Sequence, residues 1–320
     1  MLKNLIKMSA LLFPGQGSQV IGMGSEFYSN FDLVKKIFKQ ADEVLNYPIS
    51  KLILHGPEEE LQLTQNTQPA ILTVSYSIFK IMKTEFDINL NTFRYFAGHS
   101  LGEYSALVCS ESLDVNDALY LLHERGKAMQ AAVPVGKGGM IAVLGLKIEE
   151  IINILNRDKA TKGICEIAND NADGQVIISG NKESIQSLQS LLQEKKIKSI
   201  PLKVSAPFHC SLMKPAADSM KEKINNIEFK KPLFQIVNNV TAKAEEGSNN
   251  IKSLLIDQIS STVKWRESLI YMSNSGVKNF VEIGPGKALT GMTKRTIKNS
   301  NCFSINSIAD IKKIQNELKI

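Results

Sequence analysis

Short apolar runs alternate with segments of helical periodicity in the first third of the chain. Ser9–Phe13 is a largely apolar run of strand length, whereas Asp32–Leu45 repeats its apolar residues every three or four positions, as an amphipathic helix does. The same alternation predicts a helix over Gln68–Thr84 and a strand over Phe93–Ala97. Near the end of the chain, a strand over Lys278–Ile283 precedes a Gly-Pro-Gly turn and another helix. Strands that alternate with helices predict a mostly parallel sheet covered on both faces.

The middle of the chain has a different order of elements. It begins after a glycine-rich stretch at residues 134–139, which we interpret as a hinge. The apolar spacing then predicts strands over Met140–Leu146, Cys165–Ala168, Gln175–Ser179 and Ser199–Ser205, with helices over Ile148–Asn156 and Lys182–Lys196. In chain order these elements read β-α-β-β-α-β, which is typical of a ferredoxin-like unit.

These two patterns predict an α/β protein of two domains. We assign residues 1–131 and 206–320 to a large α/β domain with a parallel sheet, and residues 132–205 to a small ferredoxin-like domain inserted into it. A chain of 320 residues is long enough for this arrangement. Because ligand sites often form between two lobes, we expect the functional site in the cleft between these domains.

Hydropathy and cysteine usage exclude several classes of protein. No apolar run approaches the roughly 18 residues of a membrane span, and the start at Met1–Lys7 lacks a small-residue cleavage site. We therefore expect no membrane association and no secretory signal. The cysteines are widely separated and form no C-x-x-C pair, so the sequence predicts free thiols in a reducing cytoplasm and no metal site. They are Cys109, Cys165, Cys210 and Cys302.

Charge and glycine patterns say little about the ligand. The formal charge of +6 is compatible with anionic partners such as coenzyme phosphates or an acidic carrier protein. The lysines are dispersed and accompany no nucleic-acid-binding signature, so we expect no nucleic acid partner. Two glycine-rich stretches fail as nucleotide-binding motifs. Val20 replaces the last glycine of G-x-G-x-x-G, while Val281 and Ala288 replace a glycine and a hydroxyl residue of the P-loop pattern.

The segment YFAGHSLGEYSAL, residues 95–107, contains a candidate nucleophile. It changes abruptly from a strand-like run to a helix-forming one, and Ser100 lies at the change within a G-x-S-x-G pattern. Gly98 and Gly102 let the chain turn tightly without a Cβ clash, so that the serine hydroxyl is presented at the start of a helix. The pattern alone is short, and an ordinary tight turn is the alternative interpretation.

A serine nucleophile needs a base, and the chain has four histidines. His99 adjoins Ser100 and is poorly placed to bend back onto it. His55 is expected at the surface, and His123 lies within a predicted helix. His209 follows the last strand of the small unit, at the kink where the chain returns to the large domain, and is the preferred candidate.

Arg125 lies on the apolar side of a predicted helix that begins at Asp114. It is seven positions after Ala118 and three after Leu122, so it shares their face. His123 is about 200° away around the same helix and lies on another face. A buried guanidinium needs a partner. One interpretation is an internal salt bridge, and the other is a bidentate fork for a substrate carboxylate.

Taken together, seven motifs occur in a fixed order. They are FPGQGSQ, TQPAIL, GHSLGEYSALV, RGKAMQ, NADGQVIISG, VSAPFHCSLMKPA and EIGPGKALTG. In this order they resemble the malonyl-CoA:acyl-carrier-protein transacylases, a family of acyltransferases of fatty acid and polyketide synthesis. The resemblance covers about residues 10–295. It implies an α/β-hydrolase-like large domain with an inserted ferredoxin-like small domain, which agrees with the pattern analysis.

The resemblance also assigns catalytic roles to matching positions. It implies that Ser100 is the nucleophile and that His209 is its base. Gln16 and Leu101 match the positions whose backbone N–H groups form the oxyanion hole. Gln258 matches the residue whose backbone carbonyl orients the histidine, in place of the usual aspartate.

A second set of positions matches the substrate site of the family. The resemblance implies that Arg125 holds the malonyl carboxylate and that Gln68, Asn171 and Met129 line the cleft. Phe208, directly before the histidine, occupies a position linked to acyl selectivity, where a better-known family member has a smaller residue. This departure leaves the fine acyl preference open.

The reaction implied is transfer of a malonyl group from malonyl-CoA, through a malonyl-serine intermediate, to the phosphopantetheine thiol of acyl carrier protein. Neither a metal nor another cofactor is expected, and a cytoplasmic monomer is expected. Three alternatives remain at this point. They are a serine hydrolase of the G-x-S-x-G type, a polyketide acyltransferase for another extender group, and a non-catalytic module that binds carrier protein.

Overall fold

The computed structural model describes residues 8–157, 163–204 and 206–319. Among these residues, no helix combines the length and the apolar character needed to cross a bilayer. The strands are β1 Ser9–Phe13, β2 Phe93–Gly98, β3 Gly138–Leu144, β4 Cys165–Ala172, β5 Gln175–Asn181, β6 Ser199–Pro201, β7 Gln235–Val237, β8 Ala244–Glu245, β9 Asn279–Ile283 and β10 Asn301–Ile305.

The helices surround two separate sheets. They are α1 Ser25–Asn30, α2 Asp32–Leu45, α3 Ile49–His55, α4 Glu58–Leu61, α5 Thr64–Thr84, α6 Gly102–Cys109, α7 Val115–Ala131, α8 Ile148–Arg157, α9 Lys182–Glu194, α10 Lys214–Asn225, α11 Ser248–Ser260, α12 Trp265–Asn274, α13 Ala288–Thr296 and α14 Ile308–Leu318. Two 3₁₀ turns, Leu90–Thr92 and Ser211–Met213, complete the regular structure of the described residues.

The first sheet has six strands in the order β10-β9-β1-β2-β7-β8. All neighbouring pairs are parallel except β7 with β8, which is an antiparallel edge. In β1, Leu11 and Phe13 pack into the core on one face of the sheet, while Ala10 and Leu12 pack into the core on the other. A strand buried on both faces has no polar side, which explains why the β1 sequence is apolar without alternation. The predicted parallel sheet is confirmed.

The second sheet has four antiparallel strands in the order β4-β5-β3-β6. With α8 and α9 it has the β-α-β-β-α-β order predicted from the sequence. One face of the sheet, including Ile141, Val143 and Ile178, forms a separate core with α9 residues such as Leu188. The predicted unit is therefore present as a four-stranded sheet with two helices, and the division of the chain at residues 131/132 and 205/206 stays a prediction.

Element boundaries differ from prediction where backbone pairing, rather than side-chain pattern, sets the end. Strand β6 stops at Pro201, so the expected continuation over residues 202–204 is wrong. One further backbone hydrogen bond, from the Leu202 N–H to the Met140 carbonyl oxygen at 2.9 Å, follows the strand. Ser205 itself, like Met1–Lys7, lies outside the described residues. Strand β4 runs on to Ala172 despite its polar end.

Two neighbouring contacts at β4 help to attach the four-stranded sheet to residues around α12. The backbone of β4 pairs with residues before α12 through a parallel bridge between Asn169 and Val263. Next to it, the Arg266 guanidinium binds the buried Asp170 carboxylate, with Nε–Oδ distances of 2.9 and 3.1 Å. These contacts fix the end of β4, and with it the side chain of residue 171, at the cleft.

Candidate active site

Ser100 lies in the tight turn between β2 and α6. Its φ of 54° is in the left-handed region, which a serine adopts only where the surroundings impose it. A Cβ on Gly98 would lie 1.9 Å from the backbone carbon of Gly102, and one on Gly102 would lie 2.2 Å from the carbonyl oxygen of Phe13. The predicted reason for both glycines is confirmed, because any side chain at either position would push the turn apart.

His209 faces the serine hydroxyl. Its Nε2 is 2.8 Å from Ser100 Oγ, and its Nδ1 is 2.9 Å from the backbone oxygen of Gln258. A carbonyl oxygen only accepts hydrogen bonds, so we assign the proton to Nδ1, which leaves the Nε2 lone pair for the serine proton. Burial, and secondarily the nearby Arg125 cation, lowers the pKa of His209 to about 3. The imidazole is therefore neutral at physiological pH.

The Arg125 side chain is 1% exposed and lies beside both groups. Its Nη2 donates to Ser100 Oγ at 3.1 Å and to Gln258 Oε1 at 2.9 Å, and its Nη1 donates to Gln68 Oε1 at 2.7 Å. No carboxylate among the described residues lies within ion-pair distance of this guanidinium, so the internal salt bridge considered above is absent there. Burial lowers the pKa of Arg125. The hydrogen-bond acceptors of this cation among the described residues are two amide oxygens and the serine hydroxyl, all of them neutral.

Close helix packing brings Arg125 to this position. At Gly126, α7 approaches α5 so closely that a Cβ would lie 2.4 Å from the Cα of Gln65. This approach places the residue before Gly126 beside Gln68 on the facing helix. The apolar spacing of α7 predicted a buried arginine correctly, and the glycine explains why the arginine reaches the site. His123 instead contacts the backbone oxygen of Gln65, at 3.0 Å, and His55 is exposed at the end of α3.

Two backbone N–H groups are available next to the serine. Those of Gln16 and Leu101 donate to no acceptor in the described part of the chain. Leu101 is the N-cap of α6, where N–H groups lack an intrahelical partner and the helix dipole favours negative charge. Gln16 lies in the turn after β1 and lines the same cavity as Ser100. Such N–H groups are suited to an oxyanion.

The predicted residues converge on one cavity of about 450 Å³. Its lining includes Gln16, Gln68, Ser100, Arg125, Met129, Asn171, Phe208 and His209. Leu101 and Gln258 are fully buried directly behind this lining. Asn171 Oδ1 lies 2.8 Å from His99 Nε2, which turns His99 towards β4 and away from the serine hydroxyl. A larger surface hollow of about 600 Å³ lies beside Arg94 and Leu233 and contains none of the predicted residues.

Sequence reasoning missed two residues beneath the site. The carboxyl of Glu103 and the side chain of Asn239 are both buried, and they hydrogen-bond with the Gln258 side chain and the Ser100 backbone. Burial raises the pKa of Glu103 to about 7. Every residue of α6 is buried, and a buried carboxyl needs a specific partner, but this burial is visible only in the structure.

Known proteins are similar to this chain over most of its length. The model of the acyl transferase domain family matches residues 10–319. This chain belongs to the acyl transferase family. Among curated members, a malonyl CoA-acyl carrier protein transacylase from Haemophilus influenzae is 41% identical over 97% of this chain and 99% of its own length. One of the same name from Bacillus subtilis is 42% identical, with 89% of each chain covered.

Solved acyltransferase structures have the same fold. An acyl-carrier-protein S-malonyltransferase from Bartonella henselae superposes with a TM-score of 0.94 at 37% identity, covering 98% of this chain and 99% of that one. A malonyl-transacylase solved in complex with a type II polyketide acyl-carrier protein superposes with a TM-score of 0.92 at 39% identity, covering 97% and 99%. The two-lobed α/β fold predicted from the sequence is therefore the fold of this family.

Proposed function

We propose that this acyltransferase moves the malonyl group of malonyl-CoA to the phosphopantetheine thiol of acyl carrier protein, through an ester on Ser100. Relatives about 40% identical over nearly the whole chain are named for this reaction. The observation that carries the proposal is the buried Arg125 guanidinium, which contacts the nucleophilic oxygen and has no carboxylate partner among the described residues. A malonyl group brings such a carboxylate.

In the first half-reaction, Ser100 Oγ attacks the thioester carbonyl of malonyl-CoA while His209 Nε2 takes its proton. The carbonyl oxygen becomes an oxyanion that accepts hydrogen bonds from the backbone N–H groups of Gln16 and Leu101. The carbon–sulfur bond then breaks, and His209 returns the proton to the coenzyme A sulfur. Malonyl-Ser100 and free coenzyme A result.

The second half-reaction uses the same groups in reverse. The carrier thiol gives its proton to His209 Nε2, and its sulfur attacks the ester carbonyl of malonyl-Ser100. The bond to Ser100 Oγ breaks, and that oxygen recovers the proton from His209. Thus one base serves both halves, as expected for ping-pong transfer. No cofactor takes part in the proposed steps.

Arg125 accounts for selection of a dicarboxylic acyl group. A malonyl carboxylate pairs with the guanidinium, whereas an acetyl group leaves the cation with neutral partners only, at a cost of roughly 3–5 kcal/mol. The same pairing offsets the positive field that contributes to the lowered pKa of His209. A bound malonyl group therefore makes the histidine a stronger base than a bound acetyl group does.

The histidine's partner argues against a serine hydrolase. Such an enzyme normally orients its base with a carboxylate, whereas His209 Nδ1 faces a backbone carbonyl at 2.9 Å. Phe208 leaves the choice between malonyl and a larger extender group open, and malonyl is our proposal.

We further propose a cytoplasmic monomer. All four cysteines are free, which suits a reducing compartment.

Intact-mass analysis tests this function. Incubation with malonyl-CoA is expected to add one malonyl group to the wild-type protein, located on Ser100 by peptide mapping, and holo-carrier protein is expected to remove it. Ser100→Ala is the matched control and should gain no mass. Absence of the adduct in the wild type, or faster hydrolysis of a p-nitrophenyl ester than transfer to carrier protein, would contradict the proposal.

A further inference from the structure

We propose that Glu103 is a positioning residue of the acyl transfer, which fixes the base, the cation and the nucleophile through Gln258 and Asn239. This inference rests on the proposed function, because the reaction is its readout. Glu103 lies in the first turn of α6, and its side chain is 2% exposed. Its carboxyl does not line the cavity and has no hydrogen bond to Ser100 Oγ or His209 among the described residues, so any effect of this group on the reaction must pass through other residues.

One carboxyl oxygen of Glu103 accepts hydrogen bonds from both residues. Glu103 Oε2 accepts a hydrogen bond from Gln258 Nε2 at 2.8 Å and another from the backbone N–H of Asn239 at 3.0 Å. Both donors are buried, and a buried donor that loses its acceptor costs about 1–3 kcal/mol. The carboxyl therefore sets where these two residues lie.

Through Gln258, Glu103 orients the base and the cation together. With its Nε2 held by Glu103, the Gln258 amide points its Oε1 at Arg125 Nη2, at 2.9 Å. The backbone oxygen of the same residue holds His209 Nδ1 at 2.9 Å. One glutamine thus supports the group that moves the proton and the group proposed to select the acyl chain.

Through Asn239, Glu103 supports the strained turn at the nucleophile. Asn239 Oδ1 accepts from the Ser100 N–H at 2.7 Å, and its Nδ2 donates to the carbonyl oxygen of Gly98 at 2.8 Å. These bonds connect the Asn239 side chain to the backbone of the β2–α6 turn at two points. They link Glu103 to the left-handed backbone conformation of Ser100.

The hydrogen bonds of Glu103 matter more than its charge. Arg125 is the cation that acts on this carboxyl electrostatically, but no ion pair joins them among the described residues. Burial raises the pKa of Glu103 to about 7, so a good part of the population is neutral at physiological pH. A glutamine offers the same reach and one carbonyl oxygen without charge, whereas an aspartate offers the charge with a shorter reach.

These two replacements separate the effect of side-chain length from the effect of charge. Glu103→Gln is expected to keep kcat/KM for malonyl transfer within about 3-fold of wild type. Glu103→Asp is expected to lower it about 10- to 100-fold, corresponding to the loss of a buried hydrogen bond. Because Arg125 loses its support along with His209, the ratio of malonyl to acetyl transfer should also fall in Glu103→Asp. Both rates are measured with holo-carrier protein as acceptor.

Glu282→Asp is the control for a purely structural effect. Glu282 is equally buried, but its carboxyl accepts from the backbone and hydroxyl of Thr290, both at 2.7 Å, at the start of α13. This variant should lose stability while keeping the malonyl-to-acetyl ratio. The inference is overturned if Glu103→Asp keeps the wild-type ratio, or if Glu103→Gln loses as much activity as Glu103→Asp. Failure of wild-type Ser100 to take up malonyl would instead overturn the proposed function itself.

Discussion

One wall of the cleft, the first, is formed by the six-stranded sheet and its helices. On it, side-chain contacts of 2.8–3.1 Å join Ser100 to His209 and to Arg125. The wall formed by the four-stranded sheet presents both apolar and amide side chains, such as those of Met140, Ile177 and Asn171. The first wall is a connected polar network in a buried setting, in which each member fixes its neighbours. The second wall is a surface that an acyl chain and its carrier arm can lie against. The reacting groups thus lie on one lobe, and the surface available to the acyl chain and its carrier arm lies on the other.

The comparison predicts that changes in the first wall act on the chemical step. His209→Ala removes the base, and kcat for transfer is expected to fall about 10²–10⁴-fold. Stopped-flow measurement of coenzyme A release reports this step. A fall of less than 10-fold in a correctly folded variant would show that another group takes the serine proton.

Arg125→Ala is expected to change the choice of acyl group. Malonyl transfer should lose most of the roughly 3–5 kcal/mol assigned to the charge pair, while acetyl transfer should change much less. Arg125→Lys is the matched control, because it keeps the charge and loses the planar fork. It should fall between the wild type and Arg125→Ala. Equal loss for both acyl groups would contradict the carboxylate role of this residue.

Glu103 makes stability depend on pH in a predictable direction. Its pKa is raised from 4.5 to about 7 in the folded protein, so the folded state holds the proton more tightly than the unfolded state. The resulting contribution to the free energy of unfolding is complete below pH 4.5 and is lost as the pH rises through 7. Relative to wild type, Glu103→Gln should therefore gain up to about 3 kcal/mol between pH 4.5 and 8. Urea unfolding at both pH values measures this, and a constant difference would contradict it.

A change in the attachment of the second wall should have a smaller effect. Asp170→Asn removes the charge that binds Arg266 and leaves the backbone bridge at Asn169 in place. We expect a loss of about 1 kcal/mol in stability and a KM increase of a few-fold, with kcat almost unchanged. A large fall in kcat would mean that the chemistry depends on this wall as well.

The smallest expected effect is that of pH on the base. Burial lowers the pKa of His209 to about 3, so the imidazole stays neutral from pH 8 down to pH 5. The acid limb of kcat/KM should therefore not begin near pH 6.5, where an ordinary histidine titrates. A fall in kcat/KM centred near pH 6.5, with carrier protein and coenzyme intact, would contradict the assigned burial of this group.

The first wall was the easier part to predict from sequence, since its main signals are local. A strand, a glycine-flanked serine and a helix follow one another within residues 93–109, and Arg125 is marked by the apolar face of its own helix. His209 came from its place after the small unit and from the resemblance. The outlines of both sheets followed from apolar spacing.

The network beneath the site was beyond such reasoning, because it depends on distant contacts. Glu103 meets Asn239 across 136 positions and Gln258 across 155. No local pattern shows which buried amide will face a buried carboxyl. Strands β7, β8 and β10, at the two ends of the first sheet, were also missed. Strands β7 and β8 have only three and two residues, which is too short to show periodicity.

A competition experiment tests the central claim, that the polar wall selects and transfers a malonyl group at Ser100. The wild-type protein is mixed with equal malonyl-CoA and acetyl-CoA, quenched within one turnover, and mapped by peptide mass spectrometry. We predict an adduct on Ser100 that is almost entirely malonyl in the wild type and contains a large acetyl share in Arg125→Ala. Equal malonyl and acetyl adducts in the wild type, or an adduct on another residue, would contradict the account.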